Sequence, residues 1–106
     1  VRYLNKYRGR KKLRPPLRWF ADWMETNLQK NDHKSGWQSM TLGELVKRLA
    51  DEKGELSRRI ARVRRCGEAA KEGLLVEVIL EAADVANFAM FIADVARAEL
   101  EAKRRT

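Results

Sequence analysis

Leu74-Leu-Val-Glu77-Val-Ile-Leu-Glu81-Ala-Ala-Asp84-Val-Ala-Asn87-Phe-Ala-Met-Phe-Ile-Ala-Asp94-Val-Ala96 is the stretch that decides the fold. It is apolar on nearly every face of a helical wheel, the pattern of a helix covered on several sides rather than of a surface helix. Glu77, Glu81 and Asp84 nevertheless sit inside it. Glu81 and Asp84 are neighbours at i, i+3, and Glu77 lies one turn before Glu81. A carboxylate on a covered helix is costly unless something positive neutralises it. Ala82, Ala86, Ala89, Ala93 and Ala96 give the same helix small faces on which another helix can pack closely. The helix is expected to run on to about Lys103, entered from a short Glu/Ala/Lys segment between Gly67 and Gly73.

The segment before it supplies a second acid pair. Thr41-Leu-Gly-Glu44 has the form of a capping box, opening a helix expected to reach about Arg65 with Gly67 as its stop. Leu45, Leu49, Leu56, Ile60 and Val63 form its apolar stripe, and Glu52 falls where the period would place another Leu. Glu55 lies at the edge of the stripe. Arg48 and Arg59, each four residues from one of these acids, offer an ion-paired alternative. Farther along, Arg58, Arg62, Arg64 and Arg65 read as a solvated basic face near the helix C-terminus.

Upstream, Pro15-Pro16 opens an amphipathic helix to about Lys30, with Trp19, Phe20, Trp23, Met24 and Leu28 on one stripe. Asn31 to Trp37 is polar and contains Gly36, so it reads as a loop. It holds His33, the one histidine of the chain, beside Lys34 and Trp37. Such a loop could hold a nucleobase by stacking and hydrogen bonding; equally, Trp37 could fold back onto the core. No strand pattern is present, and the fold class is all-α: a helical bundle completed by oligomerisation, with a basic arm at 1–14 and a single helical domain at 15–106.

The 106 residues suit one domain, and no uncharged run is long enough to span a membrane. One cysteine, Cys66, cannot build a disulfide framework, which points to a cytoplasmic setting. The net charge of +8 belongs to the arm: residues 1–18 carry eight of the 23 Lys and Arg and no acid, and the remaining basic residues balance the 15 acids. A neutral body argues against a nucleic-acid partner. A basic, helical, nucleic-acid-binding dimer is the rival reading, with the acids merely ion-paired.

Two antiparallel helices could bring Glu52, Glu55, Glu81 and Asp84 to one site. Four like charges raise one another's pKa unless a cation binds, and hard oxygen ligands select Mg²⁺, Mn²⁺ or Ca²⁺. A di-iron bundle would need Glu-x-x-His pairs, which the chain lacks. Mg²⁺ fits best, with Mn²⁺ the alternative, because it leaves positions for water and phosphate oxygens. Lys34, Lys53 and Arg59 are the available partners for phosphate charge. Asn87, one turn past Asp84, could orient a ligand or a sugar.

Leu49-Ala-Asp-Glu52-Lys-Gly-Glu55-Leu56, followed at a distance by Glu81-Ala-Ala-Asp84-Val-Ala-Asn-Phe-Ala-Met, resembles the MazG-like all-α nucleoside triphosphate pyrophosphohydrolases, whose signature is Glu-x-x-Glu and then Glu-x-x-Asp. The resemblance covers about residues 16–100. It implies that the four acids bind Mg²⁺ and serve catalysis. It implies too that an NTP or dNTP is split between the α- and β-phosphates into a monophosphate and pyrophosphate. A homodimer or homotetramer with sites built partly across subunits is also implied. The Asn31-to-Trp37 loop resembles a variant found in phage and mobile-element members, which marks His33 and Trp37 for base contact. A nucleotide-binding protein without turnover is a further alternative.

Overall fold

A computed structural model describes residues 12–32 and 36–105. Three α-helices and one short 3-10 turn make up the described chain: α1 (Pro15–Lys30), the turn Trp37–Ser39, α2 (Leu42–Arg65) and α3 (Glu68–Arg105). There is no strand among the described residues. None of these helices is long and apolar enough to cross a membrane.

Each helix boundary has a local cause. Pro15 and Pro16 occupy the first positions of α1, where an N–H would lack an intrahelical acceptor in any case. The capping box of α2 is fully formed: Glu44 N donates to Thr41 Oγ1 at 3.1 Å, and Thr41 N donates to Glu44 Oε1 at 2.9 Å. The end of α2 differs from expectation. Gly67 does not take the left-handed conformation of a glycine stop; the chain leaves the helix at Cys66, whose backbone is extended at φ −85°, ψ 162°. Gly67 instead begins the next element, its carbonyl accepting from Ala70 N at 3.2 Å. Hence the segment expected to link two helices is already helical, and Gly73 lies inside α3. Ala69 and Ala70 favour the helix there, against a cost of about 1 kcal/mol for the glycine.

At about 1.5 Å per residue, the 38 residues of α3 account for the 58 Å longest dimension of the molecule. α1 and α2 each pack on α3 and not on one another. Cross-helix partners give the directions. Met24 pairs with Asn87 and Asn27 with Leu80 and Asp84, while Arg59 meets Glu77. The two-residue connection at Cys66–Gly67 turns α2 back along α3, so both shorter helices run antiparallel to the spine.

A single chain covers α3 less than its sequence demands. Leu45, Ala83 and Val95 are the buried apolar side chains among the described residues, whereas Leu75 and Val76 on α3 are 45% and 48% exposed. Ala89, Ala93 and Ala96 are exposed as well. The reason is geometric: two helices can cover two sides of a third, and the remaining side stays open. Trp19 on α1 is also half exposed, touching Phe20 and Trp23 at ring-centroid distances of 6.4 and 6.5 Å.

Thr41→Ala removes the acceptor for Glu44 N and should lower unfolding free energy by about 1 kcal/mol. Urea unfolding monitored by circular dichroism checks this, and an unchanged midpoint would contradict it.

Candidate functional site

Between α1, α2 and the 3-10 turn a cleft of about 480 Å³ opens over α3. One stripe of α3 forms its floor at three- and four-residue spacing: Asp84, Asn87, Phe88 and Phe91. Glu52 and Arg48 of α2, Asn27 of α1, and Trp37 and Met40 at the turn complete its walls. The cleft therefore has an acidic end and an aromatic end.

At the acidic end, one carboxylate oxygen each from Glu52, Glu81 and Asp84 lies within 4.8 Å of the others. The sequence pattern anticipated four acids, and the antiparallel packing of α2 on α3 brings three of them together. Glu55 turns aside: its Oε1 sits 2.6 Å from Arg58 Nη2, on the exposed face of α2. The same i, i+3 step keeps Glu81 and Asp84 together, so spacing does not exclude Glu55; Arg58, three residues on, draws its carboxylate to the ion pair instead.

The acids are under electrostatic load. Burial pushes the Glu52 carboxyl above its ordinary value, reinforced by Asp84, Glu81 and Glu55 and opposed by Arg48. Burial likewise raises Glu81, with Asp84 adding to the rise and Arg59 opposing it. Asp84 is raised by burial too, against the lowering effects of a hydrogen bond from Asn27 and the charge of Lys30. Glu55, by contrast, is held below its ordinary value by Arg58.

Arg59 crosses to α3 instead of bonding within its own helix. Its Nε stands 3.0 Å from Glu77 Oε1, and its Nη2 stands 3.7 Å from Glu81 Oε1. Arg62 supports the same Glu77 at 3.9 Å. The ion pairs expected within α2, Arg48 with Glu52 and Arg59 with Glu55, are not formed among the described residues: Arg59 reaches Glu77 and Glu81 on α3, and Glu55 takes Arg58. Arg48 lies with its guanidinium carbon 5.1 Å above the Phe88 ring. Lys53 is exposed on α2, beside Glu52. His33 and Lys34 lie outside the described residues, as does most of the basic arm.

Asn87 is buried, only 4% exposed, and its Nδ2 donates to the Met24 carbonyl at 3.0 Å. That carbonyl can only accept, which fixes the orientation of the amide. Its Oδ1 has no hydrogen-bond donor.

Asn27 is a site residue that sequence reasoning missed. It is 6% exposed, and its Nδ2 donates both to the Leu80 carbonyl and to Asp84 Oδ1, each at 2.9 Å. It holds one acid of the cluster by an uncharged hydrogen bond. A signal was available: Asn27 stands three residues after Met24 and four after Trp23, inside the apolar stripe of α1. A polar residue there is the same anomaly as Glu52 in the stripe of α2.

At the aromatic end, the structure bears out one of the two sequence readings of Trp37, the fold-back onto the core. The side chain folds back onto α3, stacked on Phe91 at 4.3 Å and 14°, and it also lines the cleft. Its Nε1 donates to Asp94 Oδ2 at 3.0 Å. Phe88 meets Phe91 edge-on at 5.1 Å and 75°.

The donor set at the acidic end is all oxygen and all carboxylate, which suits a hard divalent cation. Compared with protein-family models, with curated proteins and with solved structures, the chain matches none.

Because Glu52, Glu81 and Asp84 are all raised, the metal-free folded chain retains protons that the unfolded chain has released. Their contribution to stability is therefore lost as pH rises from the ordinary carboxylate range through the raised values. Glu44, Glu55 and Asp94 are lowered and act in the opposite sense, so a mutant difference is a cleaner readout than the overall slope. Glu52→Gln should raise the melting temperature of the EDTA-treated protein at neutral pH, and the gain should shrink toward about pH 4, where the glutamate is itself protonated. A gain that grows on acidification, or a loss at neutral pH, would contradict this.

Proposed function

We propose that the protein is a Mg²⁺-dependent nucleoside triphosphate pyrophosphohydrolase, splitting an NTP or dNTP between the α- and β-phosphates. The observation that carries the reading is the convergence of Glu52, Glu81 and Asp84 at one end of a cleft whose other end is aromatic. The resemblance of the two acid pairs to the MazG-like enzymes supplies the reaction class.

Glu52, Glu81 and Asp84 would hold Mg²⁺, or Mn²⁺ in its place, and Glu55 lies close enough to raise the pKa values of two of them. Bound there, the cation would neutralise the carboxylates and the triphosphate oxygens together. The protein's own groups do the rest. Asn27 holds Asp84 in register, so that one oxygen of that carboxylate is committed to the hydrogen bond. Arg59 sits against Glu81 and can exchange part of that contact for a phosphate oxygen. A carboxylate of the cluster accepts the proton of the attacking water. Phe88, Phe91 and Trp37 give the base a flat, apolar end of the cleft on which to stack.

A second copy of the chain is part of the proposal. The open side of α3 offers Ala89, Ala93 and Ala96 for close helix packing, and Leu75, Val76 and Trp19 present apolar surface beside it. A homodimer, or a pair of dimers, would bury these residues and complete the bundle.

Two measurements test these points. Incubation with a panel of NTPs and dNTPs in Mg²⁺ should release pyrophosphate and a monophosphate. Glu52→Gln should lower kcat by at least a hundredfold, since it removes a charge that matters most in the transition state. Orthophosphate as the first product, or full activity in Glu52→Gln, would reject the mechanism. Multi-angle light scattering should give a dimer or tetramer at micromolar concentration; a stable monomer would refute the assembly.

A further inference from the structure

Asp94 belongs to neither acid pair. It stands on the spine ten residues past Asp84, about 15 Å along the helix axis, and three residues past Phe91, the last floor residue of the cleft. Its carboxylate is divided between two partners. Oδ2 accepts from Trp37 Nε1 at 3.0 Å, and Oδ1 is paired with Arg97 one turn on. The Trp37 hydrogen bond and Arg97 both hold Asp94 below the ordinary carboxylate range, so the acceptor is charged at neutral pH.

The consequence falls on Trp37. One face of its indole is covered by Phe91, stacked at 4.3 Å, and its N–H is committed to Asp94. Stacking alone leaves a ring free to slide and rotate about its normal. A directional hydrogen bond at the ring edge removes that freedom. With both contacts in place, the indole that lines the cleft with Phe88, Phe91 and Met40 is held in one plane. An aromatic wall held in position before the ligand arrives binds more tightly, because the side-chain ordering cost is not charged to binding.

We propose that Asp94 is a positioning residue, which by fixing Trp37 sets the wall against which the planar base of a nucleotide is held. The proposal rests on the reading of the cleft as a nucleotide site. It assigns Asp94 to recognition, apart from the metal-dependent chemistry at the other end.

Steady-state kinetics with the best NTP or dNTP of the panel, at saturating Mg²⁺ and well below the melting temperature, provide the test. Asp94→Ala should raise KM roughly three- to tenfold, the ordering cost of one freed side chain, with a much smaller change in kcat. Trp37→Phe keeps a ring to stack on Phe91 but has no N–H to donate, and should raise KM similarly. The double variant should be no worse than the more impaired single variant, since both remove one interaction. Asp94→Asn retains an oxygen that accepts the indole N–H and should restore most of the affinity. An active wild type whose KM is unmoved by Asp94→Ala overturns this inference alone, as do additive effects in the double variant. A loss of active fraction at constant KM makes Asp94 a purely structural residue and overturns it too. A wild-type chain that neither turns over nor binds any nucleotide, measured by equilibrium dialysis with Mg²⁺, overturns both this inference and the reading beneath it.

Discussion

Three carboxylates within 4.8 Å of one another repel, and the packing of α2 against α3 holds them there nonetheless. The seam tolerates this because each acid has a different compensation. Asp84 takes a hydrogen bond from buried Asn27, Glu81 shares Arg59 with Glu77, and Glu52 feels the charge of Arg48. None of these compensations is complete: burial leaves all three carboxyls above their ordinary values, and at Glu52 and Glu81 the neighbouring acids add to the rise. A divalent cation bound there would relieve this cost of burial and repulsion, and its binding would then be coupled to fold stability.

Around that seam the rest of the molecule is an arrangement of supports. Among the described elements α3 alone touches all the others, and the face it turns to them changes character along its length. Asp84 belongs to the acid cluster, Asn87 is bonded to α1, Phe88 and Phe91 form an aromatic floor, and Asp94 anchors the indole of Trp37. Because α1 and α2 do not pack on each other, the space between them stays open above this face. A gap left by two helices on a third thus becomes a cleft with one charged and one apolar end. The same arrangement leaves the far side of α3 exposed among the described residues, and the second copy proposed above would cover it.

Much of this was legible from residue pattern. The all-α class, the capping box at Thr41 and Glu44, and the anomaly of Glu52 within a Leu stripe all express short-range periodicity, which sequence carries directly. Glu55 was less legible: its i, i+3 spacing from Glu52 suggested a shared site, but Arg58 competes for it one turn on, and rotamer choice decides. The start of α3 was misjudged because Gly67 and Gly73 look like breaks, while the alanines between them favour helix. Asn27 and Asp94 act through partners 57 residues away in sequence, Asp84 and Trp37 respectively, and no local pattern announces such pairs. Only the register of antiparallel helices brings them together.

Anomalous diffraction from crystals grown with Mn²⁺ would show whether the acid seam is a divalent-cation site. A single strong peak is expected among the carboxylates of Glu52, Glu81 and Asp84, at roughly the 2.0–2.6 Å of oxygen ligands to hard cations, with Arg59 drawn back from Glu81. Carboxylates pointing apart with no peak between them, or Arg59 closed over the cluster in their midst at millimolar Mn²⁺, would contradict it.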